Sequence, residues 1–143
     1  MRELITKSPL ETKRLSKILL KEIIEKRIIA LVGELGSGKT TFLQGLSKEI
    51  GIKEKILSST FVILRKYKIK NKKLKIERFY HIDCYRIEGE KEILKIGFQK
   101  IISDKKNLVA IEWAEKIKKI LPQNTLWLKF EIISRNSRKI IIF

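Results

Sequence analysis

The sequence predicts an α/β fold: a three-layer sandwich around a mixed sheet with a parallel centre and antiparallel hairpins. Three observations predict it. Two continuous apolar runs, RIIALVG (27–33) and NLVAIEW (107–113), are typical of strands buried on both faces. Segments with helical periodicity separate such runs along the chain. Two further pairs of apolar segments flank the polar strings KNKK and SRNS, as expected of antiparallel hairpins.

The first elements are a short strand over residues 3–6 and a helix over residues 9–26. Ser8 is a suitable N-cap, Pro9 suits the first helical position, and Glu11 stands three residues after the cap, as in a capping box. Five residues near 3.6 spacing predict that one helix face is buried. These residues are Leu15, Ile18, Leu19, Glu22 and Ile23.

The strand at 27–33 is followed by a second helix, from Lys39 to Ile50, which Gly51 is expected to end. Between Phe61 and Asp83 the periodicity changes to two, which predicts the first hairpin. A helix interrupted near Gly97 comes next.

The chain continues with the strand at 107–113, followed by a helix over 114–121 that Pro122 ends. The last hairpin is formed by LWLKFEII and RKIIIF, which flank SRNS.

Length and composition predict a single domain, residues 1–143. No segment approaches the roughly 18 uninterrupted apolar residues of a membrane span, and no signal sequence is recognisable, so we expect a cytoplasmic protein. Cys84 has no cysteine or histidine partners at metal-ligand spacing, which argues against disulfide or zinc chemistry. The formal charge of +17 arises from basic residues spread along the chain, and it is interpreted as a solvated lysine-rich surface.

The segment after the first buried strand satisfies the pattern G-x-x-x-x-G-K-[ST], which is the phosphate-binding P-loop. Glycines let successive backbone N–H groups converge on phosphate oxygens, at the positive end of the helix that follows. Lys39 would contact the β- and γ-phosphates, Thr40 would bind Mg²⁺, and Thr41 would reach the α-phosphate. The fold class is therefore that of a P-loop NTPase. The predicted nucleotide-binding residues of this segment are Gly33, Glu34, Leu35, Gly36, Ser37, Gly38, Lys39, Thr40 and Thr41.

Hydrolysis requires acidic residues beside the P-loop. Asp83 and Glu112 each end a predicted strand, at the sheet edge where the P-loop lies. Either carboxylate is able to hold Mg²⁺ or to polarise the attacking water. Lys39, Asp83 and Glu112 are thus the predicted catalytic residues, and Thr40, Asp83 and Glu112 the predicted metal ligands.

Two other functional classes remain open from the residues alone. A small-molecule or nucleotide kinase shares the P-loop but requires an acceptor pocket and a lid, for which RNSRK (135–139) is the only candidate. An RNA-binding module is the second alternative, although the aromatic residues that bind single strands are sparse. Two departures argue against GTP specificity. Asn71-Lys72-Lys73-Leu74 lacks the aspartate of the guanine-binding motif, and Arg86 replaces the glycine expected three residues after Asp83.

Four strings, in this order and spacing, resemble the TsaE family, formerly YjeE. They are GELGSGKTTF (33–42), SSTFVI (58–63), HIDCYRI (81–87) and IEWAEK (111–116). The resemblance covers nearly the whole chain, including the leading SPLET. The P-loop occurs in many ATPases, whereas H-x-D-x-Y-R followed by I-E-W is specific.

The resemblance implies a bacterial P-loop ATPase required for threonylcarbamoyladenosine modification of tRNA. Its cofactors would be ATP and Mg²⁺, and its partners the TsaB and TsaD proteins, which transfer the threonylcarbamoyl group; contact with tRNA would be indirect. The family's switch-like segment corresponds to Ser58, Thr60 and Phe61, and its acidic magnesium residue to Glu112. The resemblance implies Pro9 and Arg138 as candidate residues for binding the adenine of the nucleotide.

The chain departs from the family at Ser59, where a proline is usual, and this loosens the backbone of that segment. Two aromatic residues of the motifs have structural alternatives. His81 is either catalytic or a buried ring tied to a backbone carbonyl. Trp113 is interpreted as a packing residue rather than a base-stacking one.

Overall fold

Seven strands form one mixed sheet within the residues that the computed structural model describes, 1–57 and 63–143. The strands are β1 (Arg2–Thr6), β2 (Ile28–Val32), β3 (Leu64–Lys68), β4 (Arg78–Asp83), β5 (Asn107–Glu112), β6 (Leu126–Ile132) and β7 (Arg138–Ile142). The helices are α1 (Pro9–Ile18), α2 (Leu20–Lys26), α3 (Lys39–Glu49), α4 (Glu90–Lys95) and α5 (Phe98–Ser103), with a 3-10 helix at Ala114–Ile120.

The strand order is β1-β7-β6-β2-β5-β4-β3. Strand β2 pairs in parallel with β5 and β6, and β5 pairs in parallel with β4. The antiparallel pairs β3–β4 and β6–β7 are the two predicted hairpins, and β1 adds to β7 at the edge. The predicted mixed sheet with a parallel centre is confirmed.

Side chains alternate between two apolar layers along the central strands. Ile29 and Leu31 of β2 pack in the cluster that contains side chains of α1, α2 and α3. Ile28 and Ala30 pack on the other face, with side chains of α4, α5 and the 3-10 helix. The three-layer sandwich is thus confirmed. Because β2, β4 and β5 are parallel, their carboxyl ends meet at one edge of the sheet, where the functional site lies.

The helix predicted over residues 9–26 is interrupted. Leu19, with φ −91° and ψ 0°, separates α1 from α2. The side chain of Ile18, predicted to be buried, is 74% exposed, because Thr12 and Ser16 complete the buried stripe instead. The predicted start is confirmed, since Ser8 Oγ accepts from the backbone N–H of Glu11 at 3.1 Å.

The predicted helix over residues 114–121 is a 3-10 helix rather than an α-helix. Ile117 leaves the helical region, with φ −124° and ψ 23°, while its side chain is fully buried against the sheet. Burial of this side chain therefore takes precedence over regular helical hydrogen bonding. The interruption predicted near Gly97 is confirmed, since this residue separates α4 from α5 with φ 83°.

Helices α1 and α3 cross closely at Gly45. A Cβ atom at this position would lie 2.3 Å from the carbonyl oxygen of Lys13 and 2.7 Å from its Cα. Because these are backbone atoms of a packed helix, they have little freedom to move. We expect Gly45→Ala to lower the free energy of unfolding by about 3 kcal/mol, measured by urea denaturation. Gly89→Ala is the matched control, because no heavy atom lies within 4 Å of its added Cβ. Equal midpoints for the two variants would contradict the prediction.

Candidate functional site

A turn of six residues, from Gly33 to Gly38, leads from β2 into α3. Gly33 has φ 152° and Gly38, the N-cap of α3, has φ 106°, a region that residues with a side chain rarely adopt. A Cβ on Gly33 would also lie 2.7 Å from the carbonyl oxygen of Phe130 on β6. The glycines therefore allow the turn to close tightly against the sheet, directly before the positive end of α3.

This turn forms one wall of a cavity of about 520 Å³. Nine of the predicted site residues line it: Leu35, Gly36, Ser37, Gly38, Lys39, Thr40, Thr41, Asp83 and Glu112. Tyr85, Arg86 and Trp113 complete the lining. These three were not among the predicted site residues, although all of them belong to the strings that carry the family resemblance.

Lys39 is buried in the wall of this cavity. Its Nζ atom donates to the carbonyl oxygens of Gly33 and Glu34, and it lies 4.4 Å from the ring centroid of Trp113. Burial lowers the pKa of Lys39, and the charges of Glu112, Glu115 and Asp83 oppose this effect. The ammonium group is thus held by neutral carbonyls and an aromatic face, and an anionic phosphate oxygen would be a stronger acceptor than these carbonyls.

The two predicted carboxylates are neighbours across the sheet. Asp83 and Glu112 occupy paired positions at the ends of β4 and β5. The Oε1 atom of Glu112 faces the Thr40 hydroxyl, with 3.4 Å between the oxygens. Asp83 Oδ1 accepts from the backbone N–H of Tyr85 at 2.9 Å. Burial raises the pKa of Asp83, against the opposite effect of this hydrogen bond, and the nearby Glu112 raises it further. The fold therefore places both carboxylates and a threonine hydroxyl together.

His81 holds the other oxygen of Glu112. Its Nε2 atom donates to Glu112 Oε2 at 2.6 Å, and both side chains are almost fully buried. Of the two alternatives for His81, the buried ring is present, and Nε2 has the carboxylate of Glu112 as its partner rather than a backbone carbonyl. This contact leaves Oε1 directed toward Thr40.

We expect His81→Ala to destabilise the protein by about 2 kcal/mol, because it leaves a buried carboxylate oxygen without a donor. Gln at this position places an amide N–H close to the Nε2 position of the histidine. His81→Gln should therefore recover part of the loss. Urea denaturation measures both variants, and identical losses would show that the hydrogen bond to Glu112 contributes nothing to stability.

Pro9 and Arg138, distant in sequence, both lie beside the phosphate-binding turn. They line a small cavity of about 60 Å³, together with Gly36, Gly38 and Thr41. Arg138 Nη2 donates to the carbonyl oxygen of Gly36 at 3.0 Å, and its Nη1 donates to carbonyls of the β6–β7 turn. Arg138 is thus tied to the turn itself. A role for Pro9 and Arg138 in adenine binding stays a prediction.

Gly33 and Glu34 lie on the opposite side of the turn. They line a groove with Ser37 and residues 129–132 of β6, outside the main cavity. The side chain of Glu34 is exposed, while its carbonyl accepts from Lys39 and from the backbone N–H of Ser37. Their predicted contribution to binding therefore concerns the backbone.

The residues present fit a magnesium-bound nucleotide. The hydroxyl of Ser37 is buried, and it has no hydrogen-bond partner among the described residues. Mg²⁺ takes oxygen ligands and is bound by one or two carboxylates plus substrate phosphates. Thr40, Glu112 and Asp83 supply such oxygens. Within residues 1–57 and 63–143 there is no group of three or more His, Cys, Asp or Glu side chains that could hold a metal ion by itself. Phosphates and water would therefore provide the remaining ligands.

The residues that correspond to the family's switch-like segment, Ser58, Thr60 and Phe61, lie outside the described residues, and so does Ser59.

Cys84 is buried, which raises the pKa of its thiol to about 12, so the thiol is protonated at neutral pH. None of the helices in the described ranges has the length and apolar character needed to cross a membrane.

Comparison with known proteins gives a consistent result. The family model described as "Threonylcarbamoyl adenosine biosynthesis protein TsaE" matches residues 6–140. The tRNA threonylcarbamoyladenosine biosynthesis protein TsaE of Rickettsia felis is 35% identical over 136 residues, which are 94% of this chain and 75% of that protein. The protein of the same name from Treponema pallidum is 29% identical over 138 residues, which are 96% and 97% of the two chains.

A solved structure agrees with these sequence comparisons. The crystal structure of YdiB from Bacillus subtilis superimposes with a TM-score of 0.64 at 26% identity, covering 97% of this chain and 82% of that one. The family match extends over both strands that carry the carboxylates as well as over the P-loop. The chain belongs to the TsaE family of threonylcarbamoyl adenosine biosynthesis proteins.

Proposed function

We propose that this chain is a cytoplasmic, magnesium-dependent ATPase. It binds ATP and hydrolyses it slowly, and it serves N6-threonylcarbamoylation of adenosine in tRNA by acting on the TsaB–TsaD pair. One observation carries the ATPase part of this proposal. Lys39 and Thr40, at the start of α3, share a cavity with Glu112 and Asp83 at the ends of two neighbouring strands.

Each residue has a distinct role in this proposal. Lys39 exchanges the carbonyls of its own turn for the β- and γ-phosphate oxygens. Thr40 and Glu112 hold the metal, and His81 keeps the carboxylate in place. When bound, Mg²⁺ neutralises charge on the transferred phosphoryl group. Asp83 would help to hold the metal or would orient the water that attacks the γ-phosphate.

The rim of the cavity supports a partner-dependent activity. Leu35 is 65% exposed and Tyr85 is 37% exposed, and both line the cavity. Exposed apolar side chains beside a site favour contact with another protein. We therefore propose that TsaB and TsaD cover this rim and complete the site, so that the isolated protein turns over slowly.

The kinase alternative has no comparable support. Its candidate lid, residues 135–139, forms the tight turn and the start of β7, in which the backbone N–H groups of Ile133 and Ser134 donate to the carbonyl of Ser137. Arg138 is engaged with this turn and with Gly36. Such a segment is part of the sheet rather than a lid.

The proposal is tested by two measurements on the same preparation. Titration calorimetry with ATP and Mg²⁺ should give heat of binding, and phosphate release should rise when TsaB and TsaD are added. Absence of binding heat would overturn the ATPase assignment. Binding without stimulation at saturating partner would overturn the proposed action on TsaB–TsaD, and conversion of ATP only with a small-molecule acceptor would favour the kinase.

A further inference from the structure

The hairpin β3–β4 concentrates positive charge at the end remote from the P-loop. Its tip, residues 69–77, connects Lys68 on β3 to Arg78 on β4. Five lysines at this tip and directly beside it are exposed, and we call them the hairpin lysines. They are Lys68, Lys70, Lys72, Lys73 and Lys75. The interpretation of evenly spread charge therefore holds for the chain as a whole but not for this segment.

The hairpin lysines have no acidic partners among the described residues. Of the nearby carboxylates, Glu77 pairs with Arg78 and Lys106, and Asp104 pairs with Arg78 at 2.8 Å. Glu54 is exposed and its charge acts on Tyr67, but within the described ranges it forms no ion pair with the hairpin lysines. The charge of the five lysines is therefore available to a ligand. Two further exposed lysines, at positions 53 and 55, follow α3 on the loop that holds the hairpin tip.

The tip is a fixed part of the fold and not a loose loop. The side chains of Ile69 and Ile76 are buried in the core that α3 covers. The backbone N–H of Lys70 donates to the carbonyl of Gly51 at 3.3 Å, and that of Glu77 donates to the carbonyl of Lys106 at 2.7 Å. The lysines are thus presented on an ordered platform, which reduces the entropic cost of binding a rigid partner.

The position of this surface separates it from the nucleotide site. Arg78 begins β4 beside the tip, and Asp83 ends the same strand in the cavity. Five residue steps along a strand correspond to about 17 Å. A ligand on the hairpin lysines therefore leaves the P-loop accessible.

The composition of the surface indicates the kind of ligand. Protein interfaces are rich in exposed aromatic residues and poor in lysine at their centre. Here the apolar side chains point inward, Tyr67 being buried against Phe79, so that the surface offers charge without an apolar centre. A phosphate backbone requires only charge, and structured RNA is recognised through its phosphates.

We propose that the hairpin lysines bind the phosphate backbone of folded tRNA, independently of its sequence. We name tRNA because the proposed function lies in tRNA modification, so this part of the inference rests on that proposal. Binding of RNA by the hairpin lysines does not itself require ATP turnover. The tRNA is thereby held by a face of the protein that remains free while nucleotide occupies the other end of the sheet. This contact would be direct, in contrast to the indirect one that the family resemblance implies.

The test measures binding of labelled unmodified tRNA by fluorescence anisotropy, using the full chain. The test variant changes four hairpin lysines, at positions 70, 72, 73 and 75, to glutamine. The matched control changes Lys17, Lys21, Lys95 and Lys100 to glutamine, which removes the same charge from exposed positions on four helices. Circular dichroism and ATP binding are recorded for all three proteins.

The wild type should lose affinity by roughly several hundred-fold between 50 and 200 mM salt, as expected for about five phosphate contacts. The hairpin variant should bind at least about 10-fold more weakly, with a salt slope shallower by about three to four, while the control stays within about twofold of the wild type. ATP binding should be unchanged in both variants.

Equal loss in both variants would overturn the proposal in favour of a non-specific effect of net charge. An undiminished affinity of the hairpin variant would overturn it as well. If the hairpin variant keeps tRNA binding but loses stimulation by TsaB and TsaD, the surface contacts an acidic protein instead. Tighter binding to phosphatidylserine vesicles than to tRNA would assign it to a membrane. A wild type that binds tRNA but not ATP would refute the proposed ATPase and leave this inference intact.

Discussion

Lys39→Ala is expected to abolish ATP binding in the measurable range, with a loss of affinity of about 10³-fold. The ammonium group is buried in the cavity and already held in position by the carbonyls of Gly33 and Glu34. It would form two charge-assisted hydrogen bonds to the phosphates, each worth about 2 kcal/mol. Alanine removes both, and it also removes the cation that balances Glu112 and Asp83 against an incoming anion. Titration calorimetry with ATP and Mg²⁺ measures the loss.

Lys48→Ala is the matched control for this variant. Lys48 lies in the last turn of the same helix, α3, and its side chain is exposed. The substitution removes one positive charge without changing the cavity. The affinity of this variant for ATP should therefore stay within about twofold of the wild type. If the two variants bind ATP equally well, the P-loop assignment is wrong.

The fold was predictable because its signals are local. The apolar runs of β2 and β5, the capping sequence at Ser8 and the glycine at position 97 each act within a few residues, and the structure confirms all three kinds of signal. The 3-10 helix was not predictable in this way. Its backbone follows from the burial of Ile117 against the sheet, a contact between segments that periodicity does not describe.

In the candidate site, too, the residues marked by local signals were predictable, whereas the contacts between distant segments were not. The motif located Lys39 and Thr40, and the strand ends located Asp83 and Glu112, because parallel strands bring their carboxyl ends to one edge. The bond from His81 to Glu112 depends on the register between β4 and β5, which shows only when the sheet is assembled. The contact of Arg138 with Gly36 spans 102 positions along the chain, and no local pattern contains it.

Glu112→Gln is expected to leave ATP binding within about threefold of the wild type and to lower the rate of hydrolysis by about 10²- to 10³-fold. The amide retains the size of the side chain and one acceptor oxygen for His81 Nε2, but it lacks the negative charge that would hold the metal against the phosphates. Phosphate release in the presence of TsaB and TsaD measures the rate, and calorimetry measures binding on the same protein.

Two further variants separate the charge of Glu112 from its structural role. Glu112→Ala should lose hydrolysis to the same extent, and it should also lower the free energy of unfolding, because His81 then has a buried N–H without an acceptor. Glu115→Gln removes an exposed carboxylate on the 3-10 helix, whose charge also acts on Lys39, and it should keep the wild-type rate within about twofold. A wild-type rate in Glu112→Gln would show that Glu112 does not hold the metal. The assignment would then pass to Asp83, its neighbour across the sheet, which is also within the cavity.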